Sequence, residues 1–196
     1  MVQARNHCTA GHVEKIVLSR TLEVPIGEAD APALFVEAVR NLPNAFVALV
    51  LTPDHGLWLG ATPEQLMFAE NDRVQVDAIA GTLRTGDAPT EPTAWGTKER
   101  HEQRVVTKAI TNTLIDLGAR NITIDGPSVL LAGPVAHLHT RITANAEGRT
   151  MEELACAVHP TPAVCGIPTD MARERIAALE DRDRELYAGF WGPWSA

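Results

Sequence analysis

Along the 196-residue chain, apolar positions alternate with polar ones in some stretches and recur at helical spacing in others. Alternation and short apolar runs predict strands over 15–19 (KIVLS), 46–51 (FVALVL), 57–60 (LWLG), 73–80, 121–125, 128–132 and 136–144. The TPDHG that separates FVALVL from LWLG marks a hairpin turn. Helical spacing puts Leu34, Phe35, Ala38, Val39 and Leu42 on one face of a helix with Asp30 at its N-cap. A longer helix runs over about 98–117, capped by Thr97, with Val106, Ile110, Leu114 and Leu117 as its apolar stripe. Thr150 and Glu153 form a capping box for a short helix that ends before His159, and Thr169 caps a last helix to about 179. The Pro- and Thr-rich 87–96 is a loop. Hairpin strands with several helices predict the α+β class, a largely antiparallel sheet covered by helices, in a single domain over 1–196.

Composition narrows the function classes. With 45% hydrophobic and 21% charged residues the chain has the makeup of a soluble globular protein. A formal net charge of -8 argues against nucleic acid or an anionic membrane as main partner, but leaves room for a small anionic substrate beside a local cation. Cys8, Cys156 and Cys165 form no CxxC pair and read as reduced thiols. No run has the length of a membrane span, and no signal-peptide pattern opens the chain, so the expected location is the cytoplasm.

Several residues break the local pattern. Lys15 opens an apolar strand, where it either snorkels to water or is a desolvated amine of lowered pKa that could act as a base. Glu64 follows Thr62 and Pro63 in GATPEQL, a tight turn or helix start where a carboxylate is ordinary in the first turn. One turn before Val106 the stripe lands on Glu102, either an exit to solvent or a charge kept inward for a cation. His137 and His139 share a face of the strand AHLHTRI with Arg141, a His-x-His pair without a third metal ligand. His7, Cys8 and His12 belong to a polar N-terminal segment. The turn HPTPAVCGIPTD, residues 159–170, is rigid and irregular, and something must be held against it. Phosphate loops and nucleophile elbows are missing from the sequence.

Taken in order, VEKIVLSR, GATPEQL, AIAGTLR, KERHEQRVV, HPTPAVCGIPTDMARERI and DRELYAGFWG resemble the chorismate-binding enzymes, and within them the isochorismate synthases of the siderophore (dihydroxybenzoate) type. The resemblance spans about 13–192. It implies a magnesium-dependent isomerase in which Lys15 activates water for attack at C2 of chorismate and Glu64 protonates the departing 4-hydroxyl. Glu102 resembles a magnesium ligand that holds the ring carboxylate. Gly81 and Thr82 match a segment lying against the same end of the substrate, His137 a histidine near the ring, and Tyr187 an aromatic on the substrate's other side. The proline turn resembles the wall on which the ring rests, with Ala163 and Gly166 allowing close backbone approach.

The form of that turn also separates sister enzymes. Anthranilate and aminodeoxychorismate synthases resemble a PAGTVSG version and use ammonia, whereas salicylate synthases have a threonine-containing version and eliminate pyruvate. HPTPAVCG with Lys15 favours water addition, and leans to a siderophore over a quinone pathway. Family members are much longer, and the chain is expected to be an incomplete domain. A carboxylate-clamping arginine and a glutamate-rich helix with further magnesium ligands have no match here. Unpaired sheet edges and apolar surface, including Phe190, Trp191 and Trp194, are expected as a result, with a complementary chain or self-association as possible partners. The alternatives are a truncated, non-catalytic homologue and a salicylate-forming relative.

Overall fold

The structure is a computed structural model that describes residues 2–25, 27 and 30–193; Trp194 lies outside them. The centre of the molecule is a four-stranded antiparallel sheet. Its strands are β4 (Met67–Glu70), β5 (Arg73–Arg84), β6 (Arg120–Ala132) and β7 (Val135–Asn145), in the order β4-β5-β7-β6. In β5 and β7 Val74, Val76 and Ala78, with Leu138, Ile142 and Ala144, are buried on one face, while the intervening residues look the other way, Ile79 among them buried as well. The long helix α3 (Thr97–Asp116) lies across that face and contributes Val106, Ile110 and Leu114 to a shared core. A shorter helix, α4 (Met151–Val158), adds Leu154 and Val158, and the capping box of Thr150 and Glu153 is formed in both directions.

A second, smaller cluster organises the segment that carries Lys15. Helix α1 (Val2–Thr9) and the two-residue strand β1 (Lys15–Ile16) pack with β8 (Gly166–Ile167) and helix α5 (Thr169–Leu179) around Val13, Cys165, Ala172 and Ile176. Helix α2 (Ala31–Asn41) and the hairpin of β2 (Phe46–Thr52) and β3 (Gly56–Thr62) form a third unit, outside the main sheet. None of the α2 residues is buried, and Leu34, Val39 and Leu42 on the expected apolar face stay exposed, as do Phe46, Leu51 and Leu57 of the hairpin. Phe190 and Trp191 are likewise exposed. Among the described residues no helix is long and apolar enough to cross a membrane.

Several local expectations change. The lysine strand is only two residues long, because it has one short partner and Val17 already leaves the ladder after donating to the Cys165 carbonyl. The segments 121–125 and 128–132 are one strand, β6, whose register shifts between Asp125 and Ser128 around Gly126 and Pro127. Thr97 and Thr169 are first residues of their helices; Gly96 and Pro168 occupy the N-cap positions, and neither makes a side-chain cap. Asp30 holds its N-cap position but also makes no side-chain cap. The 87–96 loop carries a single 3-10 turn, Pro92–Ala94, which follows one at Thr85–Asp87. Helix α1 and strand β4 were not expected from the pattern.

On α3 the inward polar residue is Gln103. It is 2% exposed, and its amide donates to the Ala78 carbonyl and to Thr140 Oγ1, both at 2.9 Å. This pins the first turns of the helix to the two central strands. Gln103→Leu removes both donors and leaves the Ala78 carbonyl and Thr140 hydroxyl buried without them. The expected loss is about 1–3 kcal/mol of unfolding free energy, read from urea denaturation as a lower midpoint at unchanged slope.

Candidate functional site

The site grows from the pairing of the lysine strand with the proline turn. The turn is tied into shape by Thr161, whose carbonyl accepts from the Val164 and Cys165 amides at 3.1 Å and whose hydroxyl accepts from Ala163. It then runs straight into β8, where Lys15 faces Ile167 and Ile16 faces Gly166. Glu14 extends the ladder by donating its amide to the Ile167 carbonyl at 2.7 Å. What the turn holds is therefore the backbone of Lys15. Gly166 is the point of closest approach: a Cβ there would fall against the Lys15 carbonyl oxygen and 2.7 Å from Ala172 Cβ. Ala163, by contrast, packs against the main core.

Arg184 braces the same assembly from the C-terminal side. Its guanidinium donates to the Val17 and Val164 carbonyls at 2.8 Å and to both Glu180 carboxylate oxygens, and Glu180 also accepts from the Ser19 amide. The hydrogen bonds from Arg184 hold the Glu180 carboxyl down at about 2, so this brace stays intact through ordinary acid conditions.

Lys15 is half-buried, and burial lowers the pKa of its ammonium. Glu102 acts against that shift, Lys98 with it, and Glu64 against it, in descending order. Glu64 is the mirror image: loss of water raises its carboxyl pKa and the charge of Lys15 opposes the rise. The side chain of Glu64 is nonetheless open at the surface. The backbone around it is the irregular segment after β3, with the Glu64 amide donating to Thr62 Oγ1 at 3.0 Å. The helix start allowed by the sequence does not form, so no helix dipole accounts for this carboxyl.

Helix α3 brings its first turns to the same place, and Glu14 next to Lys15 reaches His101 at 3.4 Å. Glu102 lies at the edge of the buried stripe, its side chain 29% exposed, with Oε1 3.3 Å from Lys98 Nζ. Glu99, three residues earlier, is a further carboxylate of this group, 3.9 Å from the same ammonium. Gly81 makes room for it. This glycine is the extra residue in a bulge between Ala80 and Thr82, with φ +67, and a Cβ on it would sit 2.8 Å from the Glu99 carbonyl oxygen. Just past the bulge, Thr82 Oγ1 and His137 Nδ1 lie 2.9 Å apart on the opposite face of the sheet. Burial pushes the His137 pKa down, which favours the neutral ring. His139 is engaged elsewhere, 3.1 Å from Asp77.

The structure thus gathers Lys15, Glu64, Glu102, Gly81 and Gly166 about one locus, with Thr82 and His137 on the neighbouring strands. Tyr187 stands apart, stacked near Arg184 on a cavity of about 650 Å³ that Lys15 and Glu64 do not line. A smaller cavity of about 200 Å³ lies between α3, α4 and the proline turn. Glu99, Lys98 and Arg184 were missed at the sequence level. The E-x-x-E spacing of Glu99 and Glu102, which puts both acids on one helical face, was the signal for the first.

Could this locus hold magnesium? The cation takes oxygen ligands, keeps several waters, and is commonly held by one or two carboxylates plus substrate oxygens. Glu99 and Glu102 converge on a cationic group already, the Lys98 ammonium, so the donor set fits in type. Among the described residues no group of three or more metal-ligating side chains forms, so these two acids would need oxygens from the substrate or water.

A family model described as chorismate binding enzyme matches residues 1–196. Isochorismate synthase EntC of Escherichia coli is 31% identical over 188 residues, 92% of this chain and 48% of that protein. DhbC of Bacillus subtilis, also an isochorismate synthase, is 32% identical over 93% of this chain and 50% of its own length. A solved structure of DhbC from Bacillus anthracis, assigned as a 2,3-dihydroxybenzoate-specific isochorismate synthase, superposes with a TM-score of 0.83 at 31% identity, covering 93% of this chain and 52% of that one. The chain spans about half the length of the relatives it matches. The α+β fold read from the sequence is the fold of these proteins. By its full-length match, the chain belongs to the chorismate-binding enzyme family.

Proposed function

We propose that the chain acts on chorismate as an isochorismate synthase does, adding water at C2 with loss of the 4-hydroxyl. The observation that carries this reading is the pairing of Lys15 with Glu64, each moved by burial toward the neutral form and each within the field of the other. Water is a weak nucleophile without a base, and hydroxide a poor leaving group without a proton. A neutral amine and a protonated carboxyl supply both needs. The Lys15 amine takes a proton as the water oxygen bonds to C2. Both ring double bonds shift by one position, the C4–O bond breaks, and Glu64 delivers its proton to the departing oxygen. One hydroxyl has entered and one has left, so substrate and product are isomers.

The pair ends as ammonium and carboxylate, and solvent must return it to the starting form. Mutual attraction favours the charged end state, while poor hydration keeps the neutral state accessible.

Magnesium belongs to this reading. When bound, it would neutralise and orient a substrate carboxylate, with Glu99 and Glu102 as its protein ligands. Thr82 and the neutral His137 would offer hydrogen bonds at the rim. The names of the relatives support the reaction class.

The test is incubation of the purified chain with chorismate and magnesium chloride at high protein concentration, with products separated by chromatography. Isochorismate that fails to appear when EDTA is added is the expected result. Pyruvate together with salicylate would instead identify a lyase relative. A folded sample that forms neither would make the chain a binding homologue without turnover.

A further inference from the structure

The acids at the start of α3 are held very differently from the amine between them. Glu99 is fixed: its backbone fits under Gly81, and its carboxylate folds back so closely on Gly96 that a Cβ there would collide with it. Its side chain is 16% exposed and that of Glu102 29%. The Lys98 side chain is 75% exposed, and its stem is free to swing. A partly buried pair of carboxylates bridged by an exposed, loosely held ammonium is the arrangement of a cation site occupied by a tethered counter-ion.

We propose that Lys98 is a positioning residue that competes with the divalent cation for Glu99 and Glu102, holding the two carboxylates converged when no cation is bound and swinging into solvent when one arrives. This rests on the reading of Glu99 and Glu102 as magnesium ligands. The physical basis is charge balance. Two carboxylates on one helical face repel, and Lys98 offsets that repulsion at the cost of occupying the space a cation needs. An exposed ion pair is weak, so displacement is cheap, yet it subtracts directly from metal affinity. The site keeps a positive charge throughout, first from the ammonium and then from the metal.

Direct binding of Mn²⁺ to the full chain, measured by electron paramagnetic resonance of the free ion, tests this without reference to turnover. Lys98→Met is expected to tighten Mn²⁺ binding by about three- to tenfold, the scale that two exposed ion pairs supply. Lys108→Met makes the same change in net charge on the same helix, away from the two acids, and is expected to leave the affinity unchanged. Equal or weaker binding in Lys98→Met, or equal tightening in Lys108→Met, would overturn the proposal. Glu102→Gln separates the two levels of inference. If it weakens Mn²⁺ binding while Lys98→Met changes nothing, only the role of Lys98 fails. If Mn²⁺ binds no better to the wild-type chain than to Glu102→Gln, the metal reading and the role of Lys98 fall together.

Discussion

Lys15→Met is expected to cut isochorismate formation by about a hundred- to ten-thousandfold, the range that one general acid or base supplies, and Glu64→Gln by a similar factor. Both changes keep the size of the side chain, and Glu64 is at the surface, so far-ultraviolet circular dichroism should show an intact fold. Low rates alone would not separate chemistry from damage; the pH profiles do. Turnover needs Lys15 without its proton and Glu64 with one, while burial has lowered the first pKa and raised the second. The wild-type profile should therefore be a bell: acid depresses the rate by protonating the amine, base by ionising the carboxyl. Its two apparent pKa values belong to the pair and not to either residue. Glu64→Gln removes the group that ionises, so its residual rate should rise with pH and level off. Lys15→Met removes the group that protonates, so its residual rate should fall as pH rises. Two variants with parallel, bell-shaped residual profiles would show that neither side chain is the proton carrier.

Much of the architecture could be read from periodicity. Alternation in 73–80 and 136–144 marked the central strands because one face of each is fully buried and the other is mostly half-buried. The capping box of Thr150 and Glu153 was legible because both of its bonds are local. What could not be read depends on tertiary partners. The strand at Lys15 ends after two residues because β8 offers no more backbone, and no pattern in KIVLS carries that information. The apolar face of α2 was legible too, but not its partner: it meets the β2–β3 hairpin, with Phe35 and Ala38 half-buried and Leu34, Val39 and Leu42 exposed.

The candidate site shows the same division. Spacing left open whether Lys15 was a base or a snorkelling strand end, and whether Glu102 faced inward or toward water. The structure puts Glu102 at the edge of the stripe and gives the buried position to Gln103, because a helix of 3.6 residues per turn rotates the fully inward position by one residue over that span. The gathering of Lys15, Glu64 and α3 is long-range in sequence and came to the reading only through family resemblance. Proximity of Lys15 and Glu64 is the part that the structure adds, through the field each exerts on the other.

Gly166→Val is expected to be the most damaging single change outside the proton-transfer pair. Gly166 is buried, and its φ of +157 lies where side chains are rarely tolerated. Any Cβ would be driven into the Lys15 carbonyl on one side and against Ala172 Cβ, 2.7 Å away, on the other. Neither obstacle is the free end of a flexible chain. One is the backbone of β1, the other a methyl of α5 that is 0% exposed, so the clash can be relieved only by parting β1 from β8 or lifting α5. Overpacking of this kind costs about 1–3 kcal/mol, and the strained backbone a further 1–3 kcal/mol. For a chain of this size that corresponds to a fall in Tm of about 5–20 °C, measurable by calorimetry. The variant also separates two roles of the proline turn. If the turn acts by holding Lys15, whatever Gly166→Val protein remains folded at low temperature should lose turnover as Lys15 is displaced, with its bell-shaped pH profile widened as amine and carboxyl regain water. A variant with unchanged Tm and unchanged pH profile would mean that the proline turn and the lysine strand do not meet as closely as Gly166 requires.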